Sequence, residues 1–163
     1  MKRSSLAVFA IAVFAVVAGS ALAAPPEITT DSVSFVMSSA TCSNLPAGTT
    51  IRGSGTIKSI TTFTTSKKGV TTIMNTTHAN GTATDQAGNT YVFNYANHFS
   101  VSDSGPGTAF AGEMVDAFVL AGNGPAHLNN GFRALFDLVT LEELSSRGDP
   151  IDFATGAPHC DPL

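Results

Sequence analysis

The chain has 163 residues and a formal net charge of −4, and only 12% of its residues are charged. This acidic, sparsely charged composition argues against nucleic acid and against an anionic membrane surface as partners, because both require a basic surface. The length suits one domain with a core rather than two. The abundance of Thr, Ser, Gly and Asn is typical of a β-rich exported domain.

Residues 1–23 have the three parts of a cleavable secretory signal peptide. The basic pair Lys2-Arg3 precedes an apolar run over 6–17, and Ala21-Leu22-Ala23 supplies the small residues of a cleavage site. A retained anchor is the alternative, but the run is shorter than the roughly 20 residues that span a bilayer. We expect cleavage after Ala23 or Ala24, no membrane span in the mature protein, and a secreted, extracellular location, with the periplasm as the alternative compartment.

The mature protein is predicted to begin with a flexible segment over 24–31 and to continue as a single β domain over 32–163. Alternation of apolar and polar residues and Thr-rich composition mark the first strands. These are predicted over 32–38, 49–66 and 70–85. A hairpin turn at Lys67-Lys68-Gly69 joins the last two.

The clearest strands follow one another as a meander over 90–101, 108–121 and 127–138. A symmetric turn at 102–107 would place Tyr91 opposite Phe118, and a turn centred on Gly124 would place Leu120 opposite Leu128. Both registers bring apolar faces together, whereas a slip of one residue would turn an apolar set outward.

The segment 139–146 is predicted to be a short helix, since Leu141 and Leu144 are three residues apart. Residues 151–153 are interpreted as a final short strand. The whole pattern predicts an all-β, antiparallel up-and-down meander of six to eight strands. Such a meander forms a closed barrel or a sandwich, and we favour the barrel because closure removes exposed strand edges.

The two cysteines, Cys42 and Cys160, lie near the two ends of the mature chain. In an oxidising compartment, two cysteines predict one disulfide, and closing a loop of this size stabilises a fold by up to about 4–5 kcal/mol in the chain-entropy model. The alternative is a reactive thiol at Cys160, with His159 and Asp161 beside it.

Three segments carry a family resemblance: 81–91 with its two Gly-containing turns, 120–125, and 153–160 with its His-Cys pair. They resemble small exported bacterial β-proteins that have no assigned activity. In architecture, the meander is also similar to calycin-type and allene-oxide-cyclase-like barrels. The resemblance implies a barrel fold, and it implies no activity because no catalytic motif of those families matches this sequence.

Asp116 is the most informative polar residue, because it shares its strand face with Phe110, Met114 and Phe118. The predicted registers place it between Phe93 and Phe132. A carboxylate there is costly to bury without partners. It is either a general acid or a polar anchor in a barrel cavity, or else a carboxylate near the barrel mouth or in a structural hydrogen bond. We favour the second interpretation, because structural networks also perturb carboxylates.

Four further polar residues are predicted to share the inner face with Asp116. Asn97, Asn130 and Tyr95 have the same parity on their strands, and His78 joins them if the first hairpin places it opposite Ile57. The five residues would line a small polar pocket within an apolar barrel. On the outer face, Glu113 and Arg133 are diagonal neighbours, which predicts a surface ion pair.

Signals for a metal, a cofactor or a nucleophile are weak. The four His residues stand singly, without the spacing of metal ligands, and no G-x-S-x-G motif is present. We therefore predict neither a metal site nor a cofactor.

The leading hypothesis is an exported, disulfide-closed β-barrel that binds a small, mostly apolar molecule or serves as an extracellular structural module. The alternatives are a cyclase- or isomerase-type enzyme with Asp116 and Tyr95 in the barrel mouth, and a surface interaction protein that uses the Thr-rich strands. An oligomeric state is not indicated.

Overall fold

A computed structural model describes residues 23–103, 111–140 and 142–148. The described chain is all β, and its strands form one antiparallel sheet in chain order, so the predicted meander is confirmed. The strands are β1 (Glu27–Ser38), β2 (Thr50–Thr65), β3 (Thr71–Asp85), β4 (Thr90–Asp103), β5 (Ala111–Gly122), β6 (Leu128–Asp137) and β7 (Glu142–Gly148).

The sheet is not closed into a barrel, so that prediction is wrong. Among the described residues, β1 pairs with β2 and β7 pairs with β6, and no ladder joins β1 to β7. Both edges of the sheet therefore remain open in the described part of the chain. A long meander can curl without closing, and its edge strands then stay unpaired on one side.

The predicted helix over 139–146 is also wrong, since most of this segment belongs to β7. The strand pairs with β6 through an irregularity between Leu135 and Phe136, and Leu144 has no partner in the ladder. A bulge of this kind adds one residue to a strand. The spacing of Leu141 and Leu144 therefore does not mark a helix, and Leu141 itself lies outside the described residues.

The sheet is strongly curled, as the contact between Phe35 on β1 and Phe93 on β4 shows. Their ring centroids lie 4.9 Å apart in an edge-to-face arrangement. In a flat sheet, strands three positions apart would be separated by roughly 14 Å. The side chains of these two strands meet only because the sheet bends around them, which gives the molecule a concave inner face.

Glycines on β2 and β3 make this curl feasible. Gly53 is the cross-strand partner of Phe35, and Gly81 is the partner of Phe93. A Cβ at Gly53 would overlap the Phe35 ring, and a Cβ at Gly81 would lie 2.7 Å from the Phe93 ring. Each phenyl ring therefore lies over a glycine, a recognised way of bending a sheet while keeping its face covered.

The apolar core fills one end of the concave face, which we call the core end. Here the β1–β2 and β5–β6 loops fold inward and bury Cys42, Leu45 and Ala126. The β3–β4 turn is tied to the first of these loops, because the Gln86 amide accepts from Thr50 N at 2.8 Å and donates to Gly48 O at 2.9 Å. The remaining core side chains come from the strands: Phe35, Met37, Ile51, Ala79, Ala83, Tyr91, Phe93, Phe118, Leu120 and Leu128.

Several predictions fall wholly or partly outside the described residues. These are the signal peptide, of which only Ala23 is described, the strand over 151–153, and Cys160. The disulfide thus stays a prediction, although Cys42 is fully buried at the core end. At the start of the sheet, β1 begins at Glu27, earlier than the alternation over 32–38 predicts, and its first residues are exposed.

Candidate functional site

The inner face carries a group of polar side chains next to the apolar core, and Asp116 on β5 is its one carboxyl group among the described residues. Asn97 on β4 lies directly opposite Asp116, and Phe132 on β6 lies opposite on the other side. Alternation along β5 places Asp116 on the same face as the buried Phe118 and Leu120. The strand pattern thus brings a carboxylate to a position where an apolar side chain would be usual.

Asp116 is only 6% exposed, and its carboxylate is held by side chains from β4. The Tyr95 hydroxyl donates to Asp116 Oδ1 at 2.8 Å, and Asn97 Nδ2 donates to the same oxygen at 2.5 Å. Hydrogen bonds to a charged acceptor offset part of the cost of burying it. These hydrogen bonds bring three of the five predicted site residues, Tyr95, Asn97 and Asp116, into direct contact.

A second hydrogen-bonded chain crosses β2 and β3 on the same face. Ser59 Oγ and Thr77 Oγ1 are 2.6 Å apart, Thr77 donates to Asn75 Oδ1 at 3.0 Å, and Asn75 Nδ2 donates to Thr61 Oγ1 at 2.9 Å. None of these four residues was among the predicted site residues. They alternate in phase with the buried Ala79 and its partner Ile57. The correct register of the β2–β3 hairpin would therefore have placed all four on the inner face.

Asn130 on β6 is the fourth predicted site residue on the inner face. It is 3% exposed, lies opposite Phe118, and is a diagonal neighbour of Asp116. Its Nδ2 has no hydrogen-bond partner among the described residues. A buried amide donor that is left unpaired is destabilising, so its presence calls for an explanation.

His78 is not part of this group, and its predicted position is wrong. The side chain is exposed on the outer face, where His78 lies opposite Lys58 and Ala96. The hairpin is centred on Lys68 and has Gly69 at a φ of 80°. This register differs by one residue from the one that would place His78 inside, and a one-residue shift moves a side chain to the other face.

The inner face becomes apolar again on the side of the polar group away from the core end. Phe99 lies opposite Met114, and both are partly exposed, as is Ile57 nearer the core. Phe63, close to the end of β2, is 40% exposed. The polar group consequently lies between a closed apolar core and partly exposed apolar side chains, an arrangement suited to a ligand with both apolar and polar parts.

Two surface depressions of about 500 and 310 Å³ lie elsewhere. The larger is lined by 82–84, 90–92 and 121–123, and the smaller by 133–135 and 145–147. Neither includes a predicted site residue, and both are open to solvent. We therefore place the candidate site at the inner polar group.

A separate polar cluster orders the turn that joins β3 to β4. Asp85 accepts from Asn89 Nδ2 at 2.8 Å and from the Tyr91 hydroxyl at 3.0 Å. The hydrogen bond from the Asn89 side chain is the main cause that holds the pKa of Asp85 below its ordinary value. Burial, followed by the bond to Asp85, raises the pKa of Tyr91. The cluster closes a turn in which Gly88 adopts a positive φ, so its role is structural.

The outer face agrees with the sequence interpretation at one further point. Arg133 and Glu113 form the predicted diagonal ion pair, and both side chains are accessible to solvent. Within the described ranges, no group of three or more His, Cys, Asp or Glu residues is placed to hold a metal ion. Over the same ranges, no helix has the length and apolar character needed to cross a bilayer.

No protein-family model, curated protein or solved structure matches the chain. The resemblance to small exported β-proteins therefore stays an expectation.

Proposed function

We propose that this chain is an exported β-protein that binds a small, mostly apolar molecule on its concave face. The observation that carries the proposal is the burial of Asp116 among apolar neighbours, with hydrogen bonds from Tyr95 and Asn97. A buried carboxylate contributes little to stability compared with an apolar side chain of similar size. Retaining it on an otherwise apolar strand face is better explained by recognition of a ligand.

The apolar part of the ligand would contact the partly exposed side chains that border the polar group. Phe99 and Met114 face each other from β4 and β5, on the side of Asp116 away from the core. Burial of apolar surface would supply most of the affinity, and the polar group would fix the orientation.

An enzyme of the cyclase or isomerase type is the second candidate. The hydrogen bond between the Tyr95 hydroxyl and Asp116 favours it, since a phenol and a carboxylate in contact form a pair that can transfer a proton. An enzyme would also bind its substrate at this place, so a binding experiment tests both candidates before any reaction is sought.

Export and a disulfide between Cys42 and Cys160 are parts of the same proposal. The buried position of Cys42 at the core end supports the bond, because it protects the sulfur from reductants. N-terminal sequencing of the secreted protein should begin at Ala24 or Pro25. A sequence that begins at Met1 would contradict the signal peptide.

The binding experiment is native mass spectrometry of the protein purified from culture medium. We expect a fraction of the wild-type protein to carry a small molecule, and Asp116→Asn to lose it. His78→Ala is the matched control, because His78 is exposed on the opposite face of the same sheet. Equal loading of all three proteins, or no bound molecule even after incubation with a lipophilic extract, would contradict the proposal and favour a structural or surface-interaction role.

A further inference from the structure

The unpaired amide of Asn130 indicates what kind of polar group the ligand carries. Asn130 is 3% exposed, and on its own strand its inner-face neighbours are Leu128 and Phe132. Across the β5–β6 ladder it faces Phe118, with Leu120 and Asp116 as diagonal neighbours. Asp116 is the only polar residue among these five, and it accepts hydrogen bonds from Tyr95 and Asn97.

The chemistry of the amide nitrogen defines what it can bind. Nδ2 is a donor, so only a hydrogen-bond acceptor satisfies it. No described side chain or backbone atom serves as that acceptor. A ligand oxygen placed over Asn130 would supply it, and binding would then recover a hydrogen bond that the protein alone does not make.

The surroundings of Asn130 disfavour an anionic acceptor, because no described basic side chain lies on the inner face. The Asp116 carboxylate lies one diagonal step away, which corresponds to roughly 7–8 Å between Cα atoms. A second negative charge there would be repelled, and a buried anion needs a counter-charge. The described basic side chains are all exposed and cannot supply one: Arg52, Lys58, Lys67, Lys68, Arg133 and Arg147.

We infer that the ligand presents a neutral oxygen, such as a ketone, ester or hydroxyl oxygen, to Asn130 Nδ2. This inference rests on the proposed function and adds a class of ligand to it. Asn130 is then the residue that selects for the oxygen, while the neighbouring apolar side chains accept the hydrocarbon part of the molecule.

Four probes with the same chain length separate the alternatives: methyl nonyl ketone, undecane, undecanoate and undecylamine. Each would be titrated against a complex of the secreted protein with Nile red, a neutral fluorescent probe. We expect the ketone to displace Nile red at a concentration roughly five to ten times lower than any of the other three, the difference expected for one neutral hydrogen bond.

Asn130→Leu should remove the preference for the ketone over undecane. Asn129→Leu is the control, because Asn129 is exposed and adjacent in sequence but points to the other face. Thermal denaturation of Asn130→Leu and Asn129→Leu would show that both variants are folded at the temperature of the titration. If the variant does not fold, the side-chain amide signals of Asn130 in the wild type should shift with the ketone and not with undecane.

The outcomes distinguish this inference from the proposed function. Equal displacement by the ketone and undecane, or tighter binding of the acid or the amine, would overturn the assignment of a neutral oxygen while leaving binding intact. Failure of Nile red and of all four probes to bind would contradict the proposed function itself.

Discussion

The Tyr95 hydroxyl donates to Asp116 Oδ1 over 2.8 Å across the β4–β5 ladder. This bond joins a partly exposed aromatic residue to a carboxylate that is 6% exposed. It stabilises the charged group on the inner face, and it places a potential proton donor beside it. Its loss should therefore be measurable in the free energy of unfolding.

Tyr95→Phe removes this donor and keeps the ring. We expect the free energy of unfolding to fall by about 1.5–3 kcal/mol, the usual contribution of a hydrogen bond to a charged group. Urea denaturation followed by circular dichroism would measure it. Asn94→Ala, at an exposed position next to Tyr95 on the same strand, is the control, and an equal effect of both variants would contradict the bond's contribution.

The curl of the sheet depends on the glycines beneath the phenyl rings. Gly81→Ala would push a methyl group into the backbone of β2 and against the Phe93 ring, so it should destabilise the protein by about 1–3 kcal/mol or more. At Gly131 the nearest atom to an added Cβ is 3.8 Å away. Gly131→Ala should thus be neutral or slightly stabilising. Thermal denaturation compares the two, and similar midpoints would contradict the proposed role of Gly81.

Much of the sheet could be predicted from the sequence, because turn residues and alternation fixed the strands and faces. The β5–β6 register is confirmed, with Leu120 opposite Leu128, since the turn is centred on Gly124. The predicted β4–β5 register is wrong by four residues, because Gly122 and not Phe118 lies opposite Tyr91. Four is an even number, so every side chain kept its predicted face.

For the candidate site, the sequence predicted which residues share the inner face but not which of them are hydrogen-bonded to each other. Asn97, Tyr95 and Asn130 lie on the same face as Asp116, but the four-residue shift concealed that Asn97 is its direct partner. His78 was misplaced because its hairpin register differs by an odd number. The curl could not be predicted, because it arises from packing between Phe35 and Phe93, which lie far apart in sequence.

Stability at acidic pH should depend on the turn that contains Asp85. Because the pKa of Asp85 is lower in the folded protein than the ordinary value near 3.9, this group stabilises the fold above that pH. The contribution is lost as the pH falls from there through the lowered pKa. Asn89→Ala removes the side-chain hydrogen bond that does most to lower the pKa of Asp85. The pH midpoint of the Asp85 titration, followed by the NMR shift of its carboxyl carbon, should therefore rise. An unchanged midpoint would contradict this cause.

The predicted disulfide is tested by counting thiols in the unreduced, denatured protein. We expect none, and we expect Cys160→Ser to lower the free energy of unfolding by up to about 4–5 kcal/mol. The reduced and alkylated wild type should lose a similar amount, which separates the bond from an effect of the serine. Two reactive thiols in the unreduced protein would contradict the bond.

The most direct test of ligand binding on the concave face is chemical-shift mapping by NMR with methyl nonyl ketone as the probe. Our account predicts the largest shifts at inner-face positions of β4, β5 and β6, centred on Asn97, Asp116 and Asn130, with little change at His78. Shifts that cluster instead on the outer face, or no saturable shifts at all, would contradict a ligand site on the concave face.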